Sequence, residues 1–403
     1  MEFGLTLRDY ALQGLCRELA QDFAHRAETH DRAASSPREN YAALRDAGLF
    51  GLMVPICYGG KGAGMLGYTL AMEELAQGCA ATAMSFNMHC AAAYAITATD
   101  VYSEDCRQRF AQLVVDDGKL FANLISEAGT TNLLYSTRAS STQAQQVDGG
   151  YQISGRKAFA SMFEAADYAL ICVHPAHVPN PESVIMVVIP TTTPGITVEE
   201  VWDTLGMRAT RSNNVIFDRC FVPSSWAFDS PVIPSIGDFL ATHESLINLP
   251  YTAVYLGLGL ATLVAAKQAA QERTPKGYQH SLAYHPEVRR RIGMMSAELE
   301  AARWLLRYAA WVADSEGQTP LAQTALFRAK YMVGEAVARA TRSALELGGA
   351  HALFKGGAIE RLFRDGATAS IMQPSSDVCL GQISLAELGL DRAAVQPPLQ
   401  RTE

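Results

Sequence analysis

Residues 361–379 read RLFRDGATASIMQPSSDVC. Arg364 and Asp365 fall on a helix, and about nine residues on, Gln373-Pro374-Ser375 forms a turn. Ser375-Ser376-Asp377 then has the composition of a helix cap. An amide such as Gln373 does not take up a proton as a carboxylate base does. Asp377, four residues further on, is the nearest carboxylate after it.

Outward from this segment the chain has three textures. From about residue 236 onward it is helical: Ile292, Met295, Leu299, Ala302, Leu305, Leu306 and Ala309 form one broad apolar stripe. A second long helix, LAQTALFRAKYMVGEAVARATRSALELGG, is stopped by Gly348-Gly349. Between about 118 and 232 the runs are short, β-branched and separated by Gly, Pro, Asn and Asp. That pattern predicts an all-β unit of antiparallel strands, with a hairpin turn at Val147-Asp148-Gly149-Gly150. Before about 117, Leu15, Leu19, Phe23, Tyr41, Leu44 and Leu49 recur at helical spacing. The fold class expected is α+β, mostly α. It comprises an N-terminal helical domain (1–117), a middle antiparallel β-barrel-like domain (118–232) and a C-terminal four-helix bundle (233–403).

The chain has 403 residues, 49% hydrophobic and 18% charged, with net charge −8. That balance argues for a large core and against a nucleic-acid or anionic-membrane binder. Arg289-Arg290-Arg291 reads as the solvated face of a helix, with a phosphate patch as the alternative. Eight scattered cysteines without a CxxC pair fit reduced thiols of a cytoplasmic protein, and the histidines do not cluster as metal ligands. The apolar stretch Leu246–Ala266 carries Gly, Thr and Pro250, which favours a packed helix over a membrane span.

Five further motifs carry chemistry. VPICYGG (54–60) is a glycine turn. LISEAGTT (124–131) offers Ser126 and Thr131 as hydroxyl donors, or is a plain polar loop. GRKAFAS (155–161) offers an aromatic face at Phe159 and a hydroxyl at Ser161, although Phe159 also suits a core strand. TLGMRATRS (204–212) puts Arg208, Thr210 and Ser212 on one tight segment, for a ligand or for turn satisfaction. ERTPKG (272–277) supplies Arg273, a guanidinium matched to pyrophosphate.

Taken in order, these segments resemble those of the acyl-CoA dehydrogenase family over nearly the whole chain. The resemblance implies a flavoprotein holding FAD. Ser126, Phe159 and Ser161 would lie along the flavin ring, while Arg273, Gly348 and Gly349 would meet the phosphates of a neighbouring subunit's FAD. A homodimer or homotetramer follows. Thr131, Arg208, Ser212 and Asn248 fall where the family meets substrate. The chain departs from the family at the base: Gln373 stands where many members carry a catalytic Glu. The alternative base position falls on Ile247, with Asn248 where an Arg is expected. Asp377 and Glu244 are the remaining carboxylate candidates.

Three activities follow from the resemblance. The first is an FAD-dependent oxidoreductase dehydrogenating an acyl thioester on CoA or a carrier protein, with an electron acceptor as partner. The second is a flavin-dependent monooxygenase using O2 and a flavin reductase, which needs no α-proton removal. The third is a silent flavin-binding homologue. No metal, nucleic acid or membrane is expected.

Overall fold

The computed structural model describes residues 4–99, 102–127, 140–226, 232–234, 239 and 243–390. The first helix, α1 (Leu7–Ala33), opens on a capping box in which Thr6 and Asp9 bond each other's backbone N–H. It is followed by α2 (Arg38–Asp46), the VPICYGG turn, and α3 (Met65–Gly78), α4 (Ala80–Thr97) and α5 (Glu104–Val115). In the turn, a Cβ on Gly60 would stand 2.1 Å from the Val54 carbonyl oxygen, so only glycine fits. Nearly every residue of α3 and α4 is buried, because α3 sits between α1 and the C-terminal helices while α4 packs against α3, α5 and a C-terminal helix.

Seven strands follow: β1 (Phe121–Leu124), β2 (Gln143–Val147), β3 (Gly150–Ala160), β4 (Tyr168–Pro175), β5 (Ile185–Pro190), β6 (Ile196–Glu199) and β7 (Asn213–Pro223). Their order is β1-β4-β2-β3-β7-β6, with β5 beside β4. The predicted hairpin is present: Val147 pairs with Gly150, and Gly149 has φ +76°. The sheet is mixed rather than wholly antiparallel, since β1–β4 and β2–β4 are parallel. Chain runs of more than a dozen residues separate these strands, enough for the crossovers that parallel pairing needs.

Among its described residues the C-terminal region has three long helices, α6 (Glu244–Glu272), α7 (Pro286–Glu316) and α8 (Pro320–Gly348), and two short ones, α9 (Ala358–Gly366) and α10 (Ser376–Leu388). Pro286 and Pro320 open their helices at positions that need no N–H, and Gly349, at φ +58°, stops α8 as expected. The long helices pack on one another, and α9 and α10 pack on α8. A Cβ on Gly257 would meet the Glu73 carbonyl oxygen at 2.2 Å, so this glycine lets α6 press onto α3. Among the described residues, α6 is the one helix long and apolar enough to cross a membrane, yet 78% of its most apolar window is buried inside the fold.

Arg364 and Asp365 lock the three regions together. Arg364 forks onto Asp31 of α1 at 2.6 and 3.0 Å, bonds Glu360 at 2.6 Å, and donates to the Leu205 carbonyl. Asp365 accepts from the Met207 N–H at 2.5 Å. Gly206 makes the approach possible, because a Cβ there would stand 2.2 Å from the Arg364 carbonyl oxygen. The Leu-Gly-Met segment that closes the β region is thereby seated on α9.

Candidate active site

The ring-facing candidates come from three adjoining strands. The Ser126 carbonyl, just beyond β1, accepts from Ala158 N at 2.9 Å, which brings it beside Phe159 on β3. Phe159 sits in a register shift of β3 with φ +54°, an unusual conformation for an aromatic residue. Its ring is 59% exposed, edge-on to Trp202 at 6.0 Å. Ser161 Oγ lies 2.7 Å from Ser212 Oγ, which lies 2.8 Å from Thr210 Oγ1, and that hydroxyl donates to the Met207 carbonyl. An open aromatic face beside a row of hydroxyls fits a flat heterocycle with polar edges.

Beneath this face lies an ion pair that sequence reading missed. Lys157 and Glu127 are 2.6 Å apart, their side chains 0% and 5% exposed. Glu127 also accepts from Ser140 Oγ at 2.6 Å, Ser141 N at 2.6 Å and Thr142 N at 3.2 Å. Burial works to raise the Glu127 pKa, but the Lys157 ammonium and the hydroxyls outweigh it and bring it down to about 2. The two residues are 30 positions apart, so no local spacing announces the pair.

Arg208 does not present a free fork to a ligand. Its guanidinium donates to the Asp31 carbonyl at 3.1 Å, to Asp203 at 2.8 Å and to the Thr204 carbonyl at 2.9 Å, so it serves the join between the β region and α1. Thr131 lies outside the described residues.

Of the three base candidates, Gln373 and Asp377 are exposed, Asp377 in the first turn of α10. Ser375, not Asp377, caps that helix, accepting from Val378 N. Glu244, the first residue of α6, is 1% exposed. It lies within electrostatic reach of Cys379, whose thiol is 3.6 Å from the Pro374 carbonyl oxygen. Burial above all pushes this thiol up to about 12; the Lys330 ammonium opposes the rise and the Glu244 carboxylate adds to it. Glu244 thus acts electrostatically on Cys379, whose thiol reaches back five residues to Pro374. Asn248 follows one turn along α6, 8% exposed. The start of α6 is near β1 as well: His243, Leu246 and Ile247 share a small cavity with Asn123 and Ile125.

The turn itself rests on α8. Lys330 Nζ donates to the Ala369 carbonyl at 2.8 Å and lies 5.6 Å from the Tyr255 ring centroid. Ser376 Oγ donates to Glu335 at 3.0 Å.

Arg273, Gly348 and Gly349 also come together, at the far end of α6. Arg273 Nη1 donates to the Gly348 carbonyl at 3.1 Å, and a Cβ on Gly349 would lie 3.7 Å from the same nitrogen. The guanidinium is exposed and retains donors for a phosphate. The Arg289–Arg291 run is a solvated helix face, since Glu287 pairs with Arg290 and Arg291. Among the described residues no group of three His, Cys, Asp or Glu forms a metal site.

Family models for the acyl-CoA dehydrogenase N-terminal, middle and C-terminal domains match residues 8–115, 125–220 and 250–387. The chain belongs to the acyl-CoA dehydrogenase family. It is 28% identical over 359 residues to the putative acyl-CoA dehydrogenase YdbM of Bacillus subtilis (strain 168), covering 89% of this chain and 91% of that one. The glutaryl-coenzyme A dehydrogenase glutaryl-CoA complex superposes with a TM-score of 0.83 at 24% identity, covering 100% of both chains. FMN-bound TdsC from Paenibacillus sp. A11-2 gives 0.83 at 22%, covering 96% of this chain and 99% of that one. At these identities the structural likeness establishes the fold alone. Family membership makes the protein a flavin-dependent oxidoreductase, and the family uses FAD.

Proposed function

We propose that the protein catalyses α,β-dehydrogenation of an acyl thioester, on CoA or a carrier protein, and that Glu244 replaces the missing turn carboxylate as the base. The observation that carries this reading is Glu244 itself: a carboxylate 1% exposed, opening α6 next to His243, Leu246 and Ile247, which line a cavity with Asn123 and Ile125. Ser126, Phe159 and Ser161 suit the ring of the cofactor, and bound FAD would supply the two-electron acceptor for the β-hydride. Glu244 would take the α-proton in a slot kept dry by α4 and α6. Ser212 and Asn248 are the polar groups left to orient the thioester.

Arg273, Gly348 and Gly349 lie about 40 Å from Glu244 along the 29 residues of α6. That separation supports a homodimer or larger assembly in which they hold the phosphates of a second copy's FAD. Eight free cysteines fit a reducing cytoplasm.

The test is anaerobic addition of a panel of acyl-CoAs to the flavin-loaded protein. Bleaching of the flavin is expected, slowed about 100-fold or more in Glu244→Gln. Full-rate bleaching in that variant removes Glu244 from the role. The amide at Gln373 favours a second reading, the monooxygenase. Its signature is no bleaching, together with oxygen-dependent product from supplied reduced flavin.

A further inference from the structure

The cavity between β1, α4 and the start of α6 is apolar apart from two groups. Alternation along β1 puts Phe121 and Asn123 on the face opposite Ala122 and Leu124, and Ile125 continues the Asn123 face into the cavity. Ala91 and Ala95 of α4 and Leu246 and Ile247 of α6 form apolar walls. The two polar groups are Asn123 and His243.

Asn123 Oδ1 is buried and has no hydrogen-bond partner among the described residues. A buried amide oxygen left in that state costs stability, so it calls for a donor from the cavity beside it. His243 Nδ1 lies 2.8 Å from the Phe239 carbonyl oxygen. A carbonyl only accepts, so Nδ1 carries a proton and donates it. An unpartnered acceptor thus belongs to a residue lining one apolar cavity of about 20 Å³, room for roughly one water-sized group.

We propose that Asn123 is a specificity residue selecting an acyl chain that carries a hydroxyl, the hydroxyl donating to Asn123 Oδ1 in this cavity. The proposal rests on the acyl-thioester reading and deepens it. A methyl group of the same size fills the space but leaves the Asn123 oxygen orphaned. An ammonium would satisfy the oxygen, but its charge would have to enter an apolar cavity, which is far more costly. A neutral O–H donor meets both constraints. Ser126, the candidate flavin contact, follows three residues after Asn123, just beyond the end of β1.

The experiment compares isosteric pairs by calorimetry on the flavin-loaded protein: 4-hydroxybutanoyl-CoA against pentanoyl-CoA, and the same hydroxyl-for-methyl exchange at longer chain lengths. At the best length the hydroxy member is expected to bind about 10-fold tighter, and Asn123→Leu to erase or invert the preference. The same substitution is expected to raise the melting temperature by about 2 °C, because it removes an unsatisfied oxygen. Equal binding of both members by the wild type, or a preference that survives the substitution of Asn123, overturns the proposal. If Asn123→Leu does not fold, Asn123→Ala is read the same way for the preference. Binding of neither series sinks the thioester reading and this proposal together, whereas binding of both without preference sinks this proposal alone.

Discussion

Arg364–Asp365 and Gln373 stand nine residues apart on one segment and are treated in opposite ways by the fold. The first pair is saturated: Asp31, Glu360, Leu205 and Met207 take up its donors and acceptors. Gln373 faces solvent on a turn. The contrast separates two duties that share a short stretch of chain. The lock holds α1, the β region and the C-terminal helices in register, so the family frame survives there. An exposed turn tolerates exchange of a carboxylate for an amide with little effect on stability, so chemistry can change without loss of the fold.

The strongest way to break this comparison is to remove the lock. Arg364→Ala leaves Asp31 and Glu360 facing each other without their shared cation, and is expected to cost about 4 kcal/mol. Denaturant unfolding measures it. Gln373→Ala in the same assay is expected to fall within about 0.5 kcal/mol of the wild type. Similar losses for the two would show that the turn is as structural as the lock.

The buried Lys157–Glu127 pair extends the same contrast into the β region, where it underlies the exposed Phe159. Lys157→Met strands a carboxylate and is expected to cost about 3 kcal/mol, and Glu127→Gln added to it is expected to recover part of that. The pH dependence has a definite sign. The folded Glu127 titrates near 2, below its ordinary value of 4.5, so its contribution is complete above about 4.5 and is lost as pH falls towards 2. Acid unfolding of Lys157→Met is therefore expected at higher pH than that of the wild type, followed by circular dichroism.

What could be read from sequence follows the same division. Local signals came through: the Val147–Gly150 hairpin, the Gly349 stop of α8 and the cap at Ser375 each depend on residues within four positions. Ser161 and Ser212, expected at one site, share a hydrogen bond across β3 and β7. What the sequence does not announce is long-range. Arg208, read as a ligand contact or as turn satisfaction, bonds the carbonyl of Asp31, 177 residues away. Lys157 was passed over because its partner lies 30 residues away, beyond the end of β1. Asn123 gave one available signal, a carboxamide on an otherwise apolar strand, which alternation alone assigns to a face but not to a cavity.

The smallest expected effect sharpens how α8 supports the turn. Lys330 is 1% exposed, and burial brings its ammonium down to about 8 from an ordinary 10.5. Between these values the unfolded chain holds a proton that the folded chain has released, so stability rises with pH there, at about 1.4 kcal/mol per unit. Below about 8 both states carry the proton and the slope vanishes. Lys330→Met removes the slope and the hydrogen bond to Ala369, while a side chain of similar length continues to fill the space against Tyr255. Chemical denaturation from pH 7.5 to 10.5 should thus show a rising wild-type curve and a flatter variant one. Parallel curves would mean that Lys330 keeps its charge in the fold. The turn would then rest on a buried cation over the whole range, rather than on an amine that becomes neutral above about 8.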